Sequence, residues 1–106
     1  MPDSLATKID ELRAERPREF SREAMRDWLA QLAPVVQTMP TIERRLACVI
    51  LIANDIVLAH PERCLRDIFW VIAWALLETE EVEQLQADRE AGNRARPEWI
   101  EPIGST

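Results

Sequence analysis

The chain has 106 residues, which is room for one domain, and 47% of them are hydrophobic, which excludes wholesale disorder. Only two glycines and no tyrosine occur, and β-branched residues do not alternate with polar ones, so a sheet protein is excluded as well. The formal net charge of −6 argues against direct binding of nucleic acid, which needs a basic surface.

The first predicted helix covers about residues 5–15 and follows a capping residue, Asp3 or Ser4. Pro17 ends it. Its apolar stripe is narrow, so this helix must dock onto the rest of the chain to be stable. Three residues form the stripe: Leu5, Ile9 and Leu12.

The second predicted helix begins after Ser21, which is a favourable N-cap residue. Pro34 is expected to bend this helix or to begin a short second piece, and residues 39–41 interrupt it. Its apolar residues recur at helical spacing, which is typical of an amphipathic helix. They are Met25, Trp28, Leu29, Leu32 and Val36.

The middle of the chain is unusually apolar. Between residues 46 and 59 only Asn54 and Asp55 are polar, and residues 68–77 hold no polar group except the ring nitrogens of Trp. A small domain usually shows one apolar stripe per helix. These stretches are therefore either the centre of the fold or a surface that another chain covers.

Two further helices are predicted from these stretches, with a turn at His60. Thr41 caps the first, over residues 42–59, and Pro61 suits the first position of the second, over residues 61–91. The fold class that follows is all-α. We expect a small irregular bundle of about four helices, in which these two form a central hydrophobic helical hairpin.

The end of the chain has a different composition. We expect a single helical domain over residues 1–93 and a tail over residues 94–106, in which Pro97 and Pro102 prevent a regular helix. The tail is either a linear peptide that docks into a partner's groove or a segment that folds back over its own domain, and fold-back is favoured. Its apolar residues are Trp99, Ile100 and Ile103.

One side of the fourth predicted helix carries Trp70, Trp74 and Leu77. This side is either part of the core of a monomer or covered by a second chain. We favour the second interpretation slightly, because Trp is enriched among interface anchors and four short helices offer limited cover.

Charge is uneven along the sequence. Residues 77–106 hold three basic and eight acidic residues, which leaves −5 in this part of the chain. Glu78 and Glu81 are three residues apart and lie along one helix face. Such carboxylates can imitate the phosphates of nucleic acid in a basic groove. A plain solvated helix end is the favoured alternative.

Asn54 and Asp55 interrupt the apolar third helix. They could form a polar contact at the seam of an oligomer. We favour the other interpretation, in which Asp55 marks the solvent edge, on the same side as Arg44, and Asn54 bonds to neighbouring backbone. A fully buried and unpaired Asp55 is excluded by the cost of desolvating its charge.

Catalytic, cofactor and metal motifs are not found: the chain has one His and no Gly-rich phosphate loop. His60, Cys48 and Cys64 lack a fourth ligand. In an antiparallel hairpin the two cysteines differ in height by roughly 12 Å, too far for a disulfide. We expect both to be buried small hydrophobic residues in a reducing compartment.

The function that these features favour is non-enzymatic: a regulatory or interaction protein that binds a protein partner, with a homodimer as the preferred form. The alternative is an acidic inhibitor, of the kind that phages and plasmids encode, which blocks a nucleic-acid-binding protein. A small-ligand-binding bundle is a weaker alternative. The candidate partner-binding residues are Trp70, Trp74, Leu77, Glu78, Glu81 and Trp99.

A cytoplasmic location without membrane contact is expected. The N-terminal residues lack the basic-then-apolar pattern of a signal peptide. The longest apolar run is shorter than the ~20 residues that span a bilayer.

Overall fold

A computed structural model describes residues 4–89 and 99–100 of the chain. Within these residues the protein is all-α, as the sequence predicts, with five helices rather than four. None of these helices is both long enough and apolar enough to cross a membrane. The helices are α1 (Ser4–Ala14), α2 (Arg22–Thr38), α3 (Ile42–Ala59), α4 (Leu65–Leu76) and α5 (Thr79–Arg89).

The predicted N-caps of α2 and α3 are confirmed. The Ser21 hydroxyl accepts a hydrogen bond from the Ala24 N–H at 3.3 Å, and the Thr41 hydroxyl accepts one from the Arg44 N–H at 3.2 Å. Both capping residues have the extended backbone angles that N-cap residues adopt. α2 continues through Pro34 as one helix, so no second piece begins there.

The predicted helix over residues 61–91 is wrong in two places. It starts later, at Leu65, because residues 61–63 form a turn in which the Arg63 N–H donates to the His60 carbonyl at 2.9 Å. It also breaks after α4, because Leu77 has extended angles of φ −100° and ψ 158°. The second half is a separate helix, α5.

The break between α4 and α5 is stabilised on both sides. Leu77 is fully buried. A carboxylate oxygen of Glu81 accepts a hydrogen bond from the Glu78 N–H at 3.0 Å, which is half of a capping box for α5. The side-chain amide of Gln37 donates to the Leu76 carbonyl at the end of α4. At each of these two helix ends, one backbone group therefore has a side-chain partner.

The core is built around α4. α3 and α2 pack against it most extensively, and α5 also contacts it. Ile72, Ala73 and Leu76 of α4 are fully buried. Because three helices cover α4, its apolar residues are enclosed on nearly every side.

α1 is attached by a narrow set of contacts to α2 and α3. Its buried residues are Ile9 and Leu12, two members of the predicted stripe. The Trp28 indole N–H donates to the Leu12 carbonyl at 2.8 Å, so this carbonyl in the last turn of α1 accepts a second hydrogen bond beside the one from the Glu15 N–H. This helix therefore depends on docking, as its thin stripe predicts.

Candidate functional site

The outward side of α3 is apolar and exposed to solvent. Leu58 has 81% of its surface exposed and Ile50 has 49%. Leu51 is also exposed, and so is Leu65 at the start of α4. The exposed side of α3, called the α3 face below, consists of Ala47, Ile50, Leu51, Asn54 and Leu58.

The α3 face follows from helical spacing in an unusually apolar segment. Its residues are three or four positions apart, so they share one side of the helix. Because the segment is apolar all round, the residues that the neighbouring helices leave uncovered face solvent. The opposite side lies in the core through Cys48, Val49, Ile52, Ala53 and Ile56.

The size of this surface makes it a candidate binding site. The exposed fractions of Ile50, Leu51 and Leu58 correspond to an apolar area on the order of 300 Å². The largest apolar patch on a typical monomer covers about 300–600 Å², and such patches are often functional.

Asn54 is the one polar residue within the α3 face. Ile50 and Leu58 each lie four residues from it, on either side. The side chain of Asn54 is exposed. The predicted bond from Asn54 to neighbouring backbone is not found among the described residues. Its carboxamide therefore faces outward with the apolar side chains around it.

Asp55, the next residue, is held by α1. Its two carboxylate oxygens accept hydrogen bonds from Nε and Nη2 of Arg13 at 2.6 and 3.0 Å, a bidentate ion pair. The hydrogen bond to Asp55 raises the pKa of Arg13. Asp55 therefore pairs with Arg13, 42 residues away in the sequence. The prediction that it marks the solvent edge, on the same side as Arg44, is wrong. The negative charge of Asp55 is compensated within the chain.

The structure places the predicted anchors of α4 inside the monomer. Trp70 and Trp74 are only 4% and 6% exposed, and Leu77 is fully buried. Of the two interpretations, the core of a monomer is therefore correct and the favoured cover by a second chain is not. The reason is that α2, α3 and α5 all pack on α4. These three side chains offer a partner almost no surface. The candidate site is therefore the exposed α3 face and not this side of α4. The Trp74 Nε1 has no hydrogen-bond partner among the described residues.

The two predicted acidic contacts differ in their surroundings. Glu81 is half-buried, and its Oε2 lies 2.6 Å from Nη1 of Arg45. Its other oxygen caps α5, so both oxygens are used within the chain. Glu78 is exposed. The exposed acidic surface of the described α5 region therefore consists of Glu78, Glu80, Glu83 and Asp88.

Glu81→Gln is expected to lower the free energy of unfolding by about 1–2 kcal/mol, because Arg45 loses its carboxylate and the cap of α5 loses its charge. Urea unfolding followed by circular dichroism measures this change. Glu83→Gln on the exposed side of α5 is the matched control and should change stability by less than about 0.5 kcal/mol. Equal effects of the two substitutions would contradict the role of Glu81.

The described part of the predicted tail packs against the helices. Ile100 belongs to the hydrophobic core, and Trp99 is half-buried against it. These two residues are therefore folded back and do not extend as a free peptide. The predicted domain boundary at residue 93, and Pro97, Pro102 and Ile103, lie outside the described residues.

The cysteines are both free thiols. Cys48 is buried, and burial raises the pKa of its thiol. The prediction that Cys64 is buried is wrong, because it precedes α4 at the exposed N-cap position. His60 meets the ring of Phe20 edge-on, with 5.7 Å between centroids. The described residues contain no group of three potential metal ligands.

The α3 face contains no side chain that can act as a nucleophile, a general acid or a general base, since its members are aliphatic residues and one carboxamide. No protein family model, curated protein or solved structure matches this chain. The geometry of the α3 face is therefore the feature from which a function can be inferred.

Proposed function

We propose that this chain is a non-enzymatic protein that acts by binding another protein through the α3 face. The observation that carries the proposal is Leu58, which is 81% exposed at the C-terminal end of an apolar helical stripe. Burying a leucine side chain contributes about 1.5–3 kcal/mol relative to leaving it in water. Apolar residues at this spacing are typical of helices that dock against a partner.

The surroundings of the α3 face support a protein partner. Protein interfaces usually have an apolar centre and a polar rim. The α3 face has an apolar centre, and exposed charged residues follow at both of its ends. These residues are Glu43 and Arg44 at the start of α3, and Glu62 and Arg63 after its end.

Leu58→Glu is expected to abolish partner binding while the chain stays folded. The new carboxylate is hydrated in the free protein, but binding would bury it without a counter-charge, which should weaken affinity at least ~30-fold. The measurement is affinity capture from the native host with quantitative mass spectrometry, comparing tagged wild type with the variant.

The matched control for this substitution is Ala30→Glu, which adds the same charge on an exposed position of α2. We expect it to capture the same proteins as the wild type, and circular dichroism should show that both variants are folded. If Leu58→Glu retains every protein that the wild type enriches, the proposal is contradicted.

The carboxylates of α5 favour a second candidate, an acidic inhibitor that blocks a nucleic-acid-binding protein. Glu78, Glu80, Glu83 and Asp88 are exposed, and the sequence from 77 to 88 contains no basic residue. A row of carboxylates can occupy a basic groove. In the same capture experiment this function predicts that Glu78→Gln with Glu80→Gln and Glu83→Gln loses the partner, whereas Leu58→Glu keeps it.

We also propose a cytoplasmic location for this function. Cys48 and Cys64 are both free, and an exposed free thiol such as Cys64 is typical of proteins in reducing compartments. Neither the binding function nor its alternative requires a cofactor.

A further inference from the structure

We infer that the occupant of the α3 face is a second copy of this chain, with the two α3 helices antiparallel across a two-fold axis at Asn54. The inference rests on the proposed function, because it names the partner of the same face. A two-fold interface requires a surface that is complementary to itself. The spacing, polarity and charge of the α3 face meet this requirement.

The spacing of the two largest contacts is symmetric about Asn54. Ile50 and Leu58 each lie four residues from it, about 6 Å along the helix axis. Antiparallel pairing places Leu58 of each copy opposite Ile50 of the other. Leu58, which is 81% exposed, then packs against Ile50 of the other copy, which is 49% exposed. The two-fold axis makes this contact occur twice. Parallel pairing would oppose the two protruding Leu58 side chains and leave a gap between the two Ile50.

The carboxamide of Asn54 fits its position on the axis. It carries both a donor and an acceptor, so two copies facing each other can exchange hydrogen bonds. An entirely apolar partner would leave this group buried and unsatisfied, which is costly. An asparagine within a seam between helices also fixes register and orientation. A second copy supplies the matching donor and acceptor through its own Asn54.

The charges near the α3 face do not oppose this contact, although the whole chain carries −6. Asp55 is the only charged residue between positions 46 and 59, and Arg13 compensates it. Antiparallel pairing brings the start of one α3 near the end of the other. Each of these ends carries both signs: Glu43 and Arg44 at the start, Glu62 and Arg63 after the end.

The exposed apolar area of the α3 face fits a dimer interface at the small end of the standard range. A standard interface buries about 800 Å² per partner, of which slightly more than half is apolar. The roughly 300 Å² of exposed leucine and isoleucine surface on the α3 face is about two thirds of that apolar share. Without a large aromatic anchor, we expect a dissociation constant on the order of 1 μM.

The first experiment is sedimentation velocity of the full chain from about 0.1 to 100 μM, a range that brackets this constant. We expect a monomer–dimer equilibrium that Leu58→Glu weakens at least ~30-fold and that Ala30→Glu leaves unchanged. A dimer that Leu58→Glu does not weaken overturns the α3 face as its seam.

The second experiment determines orientation by disulfide trapping in a Cys64→Ser background, which removes the exposed thiol. Ile50→Cys and Leu58→Cys chains carry tags of different size and are oxidised separately and mixed. The antiparallel arrangement predicts that the mixed pair cross-links at least ~10-fold more than either variant with itself, because proximity raises the effective thiol concentration. Efficient self-cross-linking of each variant, with little mixed product, indicates parallel helices and overturns the arrangement.

A third variant tests the axis itself. Asn54→Leu is expected to strengthen self-association about 10-fold and to let self-cross-links appear beside the mixed one, because the group that fixes orientation is gone. An unchanged cross-linking pattern and affinity overturn the placement of Asn54 on the axis.

A chain that remains monomeric throughout the concentration range overturns the second copy as occupant. That result is distinct from a failure of the proposed function. The capture experiment with Leu58→Glu would still report whether a different protein occupies the α3 face.

Discussion

Replacing Trp70 and Trp74 together by glutamate is expected to unfold the protein, and not to give a folded monomer. Both side chains lie in the core, with 4% and 6% of their surfaces exposed. Removing a buried aromatic side chain costs about 3–5 kcal/mol, and a carboxylate without a counter-charge adds to that cost. The two losses together reach the total stability of a typical domain, about 5–15 kcal/mol. Far-ultraviolet circular dichroism and the sedimentation coefficient measure the loss of structure.

Leu58→Glu is the control for this double substitution, because it makes the same type of change on an exposed side chain. Its circular dichroism spectrum should match that of the wild type. The comparison distinguishes a buried side of α4 from a seam between chains. A double Trp variant that is folded and monomeric would make Trp70 and Trp74 candidates for partner binding again.

Asp55→Ala is expected to lower the free energy of unfolding by about 2 kcal/mol. The substitution leaves the half-buried guanidinium of Arg13 without its bidentate partner. Removing one partner of a fully buried pair costs about 3–5 kcal/mol. Because the Arg13 side chain is 29% exposed, water compensates part of this loss, and exposed pairs contribute less than about 1 kcal/mol. Urea unfolding measures the difference.

Asp10→Ala provides a matched control on the same arginine. Asp10 lies 3.4 Å from Nη1 of Arg13, and its side chain is 72% exposed, so its removal should change stability by less than about 0.5 kcal/mol. A double-mutant cycle between Arg13→Ala and Asp55→Ala isolates the pairwise coupling. Equal costs for Asp10→Ala and Asp55→Ala would show that α1 is not held by the Asp55 contact.

The features that could be predicted from the sequence are those determined by nearby residues. Ser21 and Thr41 cap α2 and α3 as expected, because an N-cap depends on one side chain and the backbone N–H three residues later. The all-α class follows in the same way from local propensity and helical spacing.

The break at Leu77 could not be predicted, because it depends on distant partners. Glu81 caps α5 and is also held by Arg45, 36 residues earlier in the chain. Gln37 of α2 reaches the last carbonyl of α4. Apolar spacing continues through this region, so the sequence alone favours one long helix.

The location of the candidate site could not be predicted from the sequence either. A helix that is apolar on every side gives no local signal of which side faces solvent. The packing of α1, α2 and α4 decides this for α3 and leaves Leu58 outside. The same packing encloses Trp70 and Trp74, whose size had favoured an interface. Only the excess of apolar surface could be predicted, and its position required the fold.

The exposed carboxylates of α5 and the nearly uncharged α3 face lie on different helices, and the two surfaces should respond differently to ionic strength. Two copies of a chain with net charge −6 repel each other, and at 0.15 M salt this repulsion is screened beyond about 8 Å. Rising salt should therefore strengthen contact between copies through α3. Contact of the α5 carboxylates with a basic partner should respond in the opposite direction, because salt screens that attraction. The sign of a salt titration thus indicates which of the two surfaces the protein is using.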